Sequence, residues 1–208
     1  RNSIEVYYQL ENMTLEDFKD ILKGNIDIPL LEERYKIVTG IAKIVNTKMN
    51  GSFYDHIKDM NTDQEIFKTL ISNFNNFEDT RTYNEKTIYF YKLAQLLTSD
   101  ILHVIEIKEK RNVNYSNLLG CADYKIPQVM QSLGILEYDT KLLSLLETKT
   151  EIEENSEYEV EIRASMLVVI NYIYEQINKS IDRIDINDFI WSKSQDKTKK
   201  YKPYHLTR

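Results

Sequence analysis

Apolar residues along the chain recur mostly at three- and four-residue intervals, the period of an amphipathic helix, and seldom in the strict alternation of a half-buried strand. From Met13 the run TLEDFKDILKG opens with Thr14 three residues before Asp17, a capping-box spacing, and stops at Gly24. The next run, LLEERYKIVTGIAKIVNTKMNG, places Leu31, Tyr35, Val38, Ile41 and Val45 on one face. A shorter helix is expected over Asp63 to Phe74. Thr87 to Glu106 gives the longest clear pattern, with Phe90, Ala94, Leu97, Ile101 and Ile105 on the apolar face and Lys92, Gln95, Ser99 and His103 opposite.

Asn114 to Leu119 reads as a short helix ending at Gly120. Pro127 suits the first turn of another, which stops at Gly134. Ser156 and Glu159 form an S-x-x-E box before a helix that runs to about Asn178, with Ile162, Met166, Val169, Ile173 and Ile177 as one stripe. Arg163 lies in register with Val160, Leu167, Ile170 and Tyr174, so it should be partly buried and should have a partner. With only 5 Gly and 3 Pro there are few sites for the frequent tight turns of a strand-rich fold. The pattern predicts one all-α domain over residues 1–208, without internal repeats.

Composition narrows the function classes. The 208 residues can bury a sizeable core, and 42% apolar with 29% charged residues is ordinary for a globular protein. A single cysteine excludes an intramolecular disulfide framework and suits a reducing compartment. No apolar run approaches the roughly 18 residues of a membrane span, and the first residues lack a signal peptide's apolar segment. A soluble cytoplasmic protein with no membrane partner is the expectation. A net charge of -6 argues against general binding to nucleic acid, and the basic run SKSQDKTKKYK at 192–202 reads first as a solvated loop.

Candidate chemistry is sparse. His56, His103 and His205 are scattered and one thiol cannot build a thiolate site, so neither metal nor cofactor is expected. No Gly-rich phosphate loop and no nucleophile-elbow motif is present. The acidic run at 151–163 reads as a solvated segment leading into a helix N-terminus, although Glu161, one turn before Ala164 and Ser165, could reach into a cavity. Lys92 beside Tyr91, and Arg208 after Tyr204 and His205, are a lysine and an arginine next to aromatics, suited to a phosphate under a stacked base. Asp123, just before a proline-initiated helix, reads on spacing alone as a cap or turn residue, with a chemical role as the other reading.

Eight stretches, in order, change that balance. IPLLEER at 28–34, GSF at 51–53, NFEDT at 76–80 and FYKLAQLLTSDI at 90–101 are followed by ADYKIPQVMQSLGILEY at 122–138, EVEIRA at 159–164, FIW at 189–191 and PYHLTR at 203–208. Together they resemble the queuosine salvage family, queuosine 5′-phosphate N-glycosylase/hydrolase. The resemblance implies an all-helical fold similar in plan to helical DNA glycosylases. It also implies hydrolysis of the N-glycosidic bond of queuosine 5′-monophosphate, a small-molecule substrate, to release queuine for salvage into tRNA modification.

It makes Asp123 the catalytic carboxylate and puts Lys92 in the active site. Gln95, Tyr124, Glu161, Arg163, Trp191, His205 and Arg208 fall on positions expected to bind substrate. Leu93 and Leu206 stand where the family usually has arginine, and the family's N-terminal aromatic segment and C-terminal end have no counterpart within residues 1–208. A helical module that binds queuine or its nucleotide without cleaving it, and a nucleic-acid base glycosylase, are the alternative functions.

Overall fold

The computed structural model describes residues 3–196, 198 and 205–206, with 3, 4, 205 and 206 through their backbone alone. In chain order the elements are α1 (Ser3–Glu11), α2 (Leu15–Ile21), α3 (Leu31–Lys48), α4 (Phe53–Ile57), α5 (Asp63–Asn73), β1 (Thr80–Tyr83) and β2 (Lys86–Tyr89). They continue with α6 (Lys92–Glu109), α7 (Lys125–Ser132), α8 (Thr140–Glu147), β3 (Glu151–Ile152), α9 (Glu157–Gln176), α10 (Arg183–Ser194) and β4 (His205–Leu206). The chain is therefore mainly helical, but it is not purely so: β1 and β2 form an antiparallel hairpin, and β3 pairs in parallel with β4. None of the described helices is long and apolar enough to cross a membrane.

Contacts divide the chain into two compact units, Arg1–Asn61 with Lys68–Asn76 and Thr62–Phe67 with Phe77–Arg208; the boundary runs through α5. In the first, α1 and α2 pack on α3. The capping box expected at Thr14 is present, with the hydroxyl accepting from the Asp17 amide and the Asp17 carboxylate accepting from the Thr14 amide. Tyr35 of the expected apolar face donates its hydroxyl to the Met13 carbonyl at 2.8 Å, and its ring meets Phe18 at 5.8 Å.

The second unit is built on α9. Ser156 caps it by accepting from the Glu159 amide, and Met166 and Ile170 are fully buried. They pack with Ile126, Val129 and Met130 of α7 and Ile186 and Ile190 of α10 in one apolar cluster. Helix α10, which contains the INDFIW segment, and helices α1, α4 and α8 have no counterpart in the periodicity read from the sequence.

Two expected helices are corrected. The pattern from Thr87 onward is not one helix: Thr87 to Tyr89 lie in β2, and α6 begins only at Lys92. Asn84 and Glu85 both adopt positive φ, at 47° and 62°, which makes the two-residue turn of a hairpin. Tyr91, also left-handed at φ 48°, breaks the backbone before α6. The buried face of α6 is rotated as well, because Gln95, Thr98 and Ser99 are buried along with Ala94, Leu102 and Ile105. Asn114 to Leu119 forms no helix. Its backbone is instead held by the buried Asp63, whose carboxylate accepts from the Asn117 amide at 2.7 Å and from Asn117 Nδ2 at 2.9 Å.

Candidate functional site

Leu119 to Tyr124 is an irregular segment of the second unit, and an irregular backbone that is largely buried needs partners for its amides and carbonyls. Gln95 supplies two. Its Oε1 accepts from the Leu119 amide at 2.6 Å and from the Gly120 amide at 3.2 Å, while its Nε2 donates to the Phe90 carbonyl at 2.9 Å. Asn187 supplies a third by accepting from the Cys121 amide at 2.8 Å, and its Nδ2 donates to the Asp188 carboxylate at 2.9 Å. Gly120, at φ 113°, is the residue that permits this close approach.

Arg163 is the expected buried arginine, and its partners are now explicit. Its Nε donates to the Ala122 carbonyl at 3.0 Å. Its Nη1 donates to Asp79 Oδ1 at 3.0 Å and to Glu159 Oε1 at 2.9 Å, and its Nη2 to Asp79 Oδ2. The guanidinium also lies over the Phe90 ring, 4.0 Å from its centre. Glu159, 2% exposed, accepts in turn from Arg81 Nε at 2.8 Å, and Arg81 reaches the more exposed Glu154 at the same distance. The result is an alternating array of acids and arginines, the arrangement that makes buried charge tolerable.

Asp79 has further bonds. Its Oδ2 accepts from the Lys92 amide at 3.0 Å, and its backbone carbonyl from the Phe90 and Tyr91 amides at 2.9 and 3.2 Å. Burial pushes the Asp79 carboxyl up, but Arg163 and the Lys92 amide outweigh it and hold the group below the usual carboxylate range. Burial likewise works against the charge on Arg163, and Asp79 with Glu159 more than restore it.

Asp123 sits half-buried where the segment enters α7. Its Oδ1 accepts from the Lys125 amide at 2.8 Å and from the Ile126 amide at 3.2 Å, so the capping geometry expected from its position is present. Cys121 shows what surrounds this point. Burial, and after it the negative charge of Asp188, push its thiol up to about 12, Lys92 pulls the other way, and Asp123 and Asp100 add to the rise. The charges of Asp188, Lys92, Asp123 and Asp100 thus all act on this buried thiol. Burial also raises the Asp188 carboxyl, with Asn187 opposing, Asp185 and Asp100 reinforcing, and His103 opposing. Tyr124, 42% exposed, and Trp191, 45% exposed and one helical turn beyond Asp188, offer ring surface to solvent.

Glu161 is directed elsewhere. Two residues along a helix is a rotation of about 200°, so Glu161 leaves α9 on the side away from Arg163. It accepts from the Tyr83 hydroxyl at 2.6 Å and lines a cleft of about 370 Å³ with Ile88, Leu136, Ala164 and Ser165; neither Lys92 nor Asp123 lines it. The His205 backbone pairs with Glu151 in the β3–β4 ladder, its side chain is not described, and Arg208 lies outside the described residues. No group of three His, Cys, Asp or Glu side chains suited to a metal ion occurs among the described residues.

Asp79, Asn187 and Asp188 were not singled out by spacing, and Glu159 only as the acid of the S-x-x-E box. Their signal was adjacency: Asp79 lies in NFEDT, Glu159 begins EVEIRA, and Asn187 and Asp188 directly precede FIW.

Comparison with known proteins bears on this constellation. A queuosine 5′-phosphate N-glycosylase/hydrolase from Sphaerobacter thermophilus is 30% identical over 204 residues, covering 96% of this chain and 63% of that protein. Those from Bos taurus and Mus musculus are 30% and 28% identical, each covering 94% of this chain and 62% and 63% of the relative. The chain therefore spans about three fifths of the length of these curated relatives. The family described as queuosine salvage protein matches residues 3–208, and the chain belongs to that family.

Proposed function

We propose that the chain hydrolyses the N-glycosidic bond of queuosine 5′-monophosphate and releases queuine, with Asp123 as the catalytic carboxylate and Lys92 beside it. The observation that supports this reading is the run of hydrogen bonds in which Asp79 accepts from the Lys92 amide and from Arg163, and Arg163 donates to the carbonyl of Ala122, next to Asp123, in a chain whose family match spans residues 3–208. Departure of the base leaves oxocarbenium character on the ribose. A carboxylate at the anomeric carbon stabilises that cation or traps it covalently, and water completes the hydrolysis.

A 7-deazaguanine lacks the ring nitrogen that purine hydrolases commonly protonate, so the departing base needs other hydrogen bonds. Trp191 and Tyr124, with ring surface exposed, are suited to stacking on it. Lys92, His205 and Arg208 are the groups we assign to the substrate's 5′-phosphate. Gln95 and Arg163 serve by holding the segment that carries Asp123, since Gln95 Oε1 and Arg163 Nε both bond its backbone. The chain's net charge of -6 favours a free nucleotide over a nucleic acid as substrate. The mainly helical fold supports the likeness in plan to helical DNA glycosylases, and the single thiol supports a cytoplasmic setting.

The test is release of free queuine from queuosine 5′-monophosphate, followed by chromatography, for the chain and for Asp123→Asn. Turnover by the first and its loss in the second is the expected result. Undiminished release by Asp123→Asn removes Asp123 from the mechanism. Thermal stabilisation by the nucleotide with no product makes the chain a binding module.

A further inference from the structure

We infer that Asp79 is a positioning residue of this site: through one carboxylate and its contact with Arg163, it sets where Lys92 and the Asp123 segment stand relative to each other. The inference rests on the site reading above, and it concerns a residue outside the groups assigned there to substrate or chemistry.

Three observations carry it. First, Asp79 bonds both sides of the site at once. Its Oδ2 accepts from the amide of Lys92, and both oxygens meet the guanidinium of Arg163, whose third nitrogen donates to the carbonyl of Ala122, the residue before Asp123. One side chain thus bridges the start of α6 and the segment entering α7. Second, the bridge is stiff. The guanidinium is planar and bonded on every nitrogen, it rests on the Phe90 ring, and Glu159 fixes its far edge. Third, Asp79 restrains the backbone just before Lys92. Its carbonyl accepts from Phe90 and from Tyr91, and Tyr91 is held at φ 48°, a conformation that a bulky side chain does not adopt unless the surroundings impose it.

An ion pair that served stability alone would not need bonds to the main chain of two separate segments, each adjoining a residue of the site. The consequence of losing it is displacement rather than loss of a reacting group, and a misplacement of about 1 Å costs on the order of 100-fold in rate.

Cys121, the single thiol of the chain, lies beside Ala122 and reports on this segment without any substrate. Buried and with its thiolate disfavoured, it should react slowly with a disulfide reagent such as 5,5′-dithiobis(2-nitrobenzoate). In Asp79→Asn the labelling rate under native conditions is expected to rise at least about tenfold through local opening. Leu146→Ala, which empties a separate apolar cluster, provides a control and is expected to show no such rise at an equal loss of thermal stability.

On queuosine 5′-monophosphate, Asp79→Asn is expected to lower kcat about 100-fold with KM within about twofold. In a Lys92→Ala background the same change should cost less than about threefold, because the group being positioned is gone.

Labelling equal to wild type, or equal to the Leu146→Ala control, overturns the inference whether or not the chain turns over substrate. Equal losses of activity in both backgrounds also overturn it. Absence of turnover in wild type removes the reaction assigned above and leaves the labelling result to decide. Asp79→Glu keeps the charge paired and moves the carboxylate by one methylene, so it guards against an unfolded Asp79→Asn. It should show the same faster labelling, and wild-type behaviour in Asp79→Glu reduces the pair to a stability element.

Discussion

Arg163 Nε lies 3.0 Å from the carbonyl oxygen of Ala122, so the backbone immediately before Asp123 is tied to the middle of α9. That bond comes from a side chain that also meets two carboxylates, and it makes Arg163 hard to replace. Arg163→Met keeps much of the packing against Phe90 but leaves Glu159 and Asp79 to share Arg81 alone. Removing one member of a buried charge array costs about 3–5 kcal/mol. The urea midpoint should fall accordingly, and a loss below about 1 kcal/mol contradicts the array as drawn.

The cap that Asp123 forms and the catalytic role proposed for it can be separated by substitution. Asparagine caps a helix about as well as aspartate, whereas alanine costs about 1 kcal/mol at such a position. Asp123→Asn should therefore unfold near the wild-type urea concentration and Asp123→Ala at a lower one, while both lose at least about 100-fold in queuine release. A fully active Asp123→Asn leaves only the cap.

Gly120 is constrained by geometry as well as by contact. A Cβ there would stand 3.2 Å from Asn187 Oδ1 and 3.2 Å from Ile170 Cδ1, at a φ of 113° that side chains rarely adopt. Gly120→Ala is expected to cost more than about 1 kcal/mol and to weaken the Asn187 bond to the Cys121 amide. Gly134→Ala, with open space around it and φ of 72°, isolates the backbone component and should cost less in thermal melts.

The depressed carboxyl of Asp79 gives acid sensitivity a defined sign. A carboxyl held lower in the folded protein than in the unfolded chain binds fewer protons when folded. Its stabilisation is complete above the ordinary carboxylate range, about 4, and is lost as pH falls through the lower folded value. Wild type should therefore lose stability faster than Asp79→Asn below about pH 4 in urea titrations. Parallel curves for the two proteins count against the ion pair.

How much of this the sequence discloses depends on the range of the interaction. The helix through Arg163 is legible because its stripe and its Ser156 cap are local, and an arginine in an apolar register announces that it needs a partner. Which partner is not legible: Asp79 stands 84 residues away, and no local pattern links the two. The start of α6 is misread for a similar reason. Thr87 to Phe90 fits a helical period by composition, but the left-handed turn at Asn84 and Glu85 and the tie from Asp79 to Phe90 and Tyr91 decide the backbone. At Asp123 the local reading, a cap, describes the geometry correctly, and the chemical reading came from the order of eight stretches along the chain. Glu161 fell in one of those stretches, yet the turn of α9 directs it to Tyr83 and away from Lys92.

The array of Asp79, Arg81, Glu159 and Arg163 also limits how this chain can change over generations. Its two acids and two arginines balance, and any single exchange of charge leaves the other three unbalanced in a largely buried setting. Drift at these four positions must proceed by coordinated replacements, or begin with Arg81, whose contact with the exposed Glu154 gives it a way out to water.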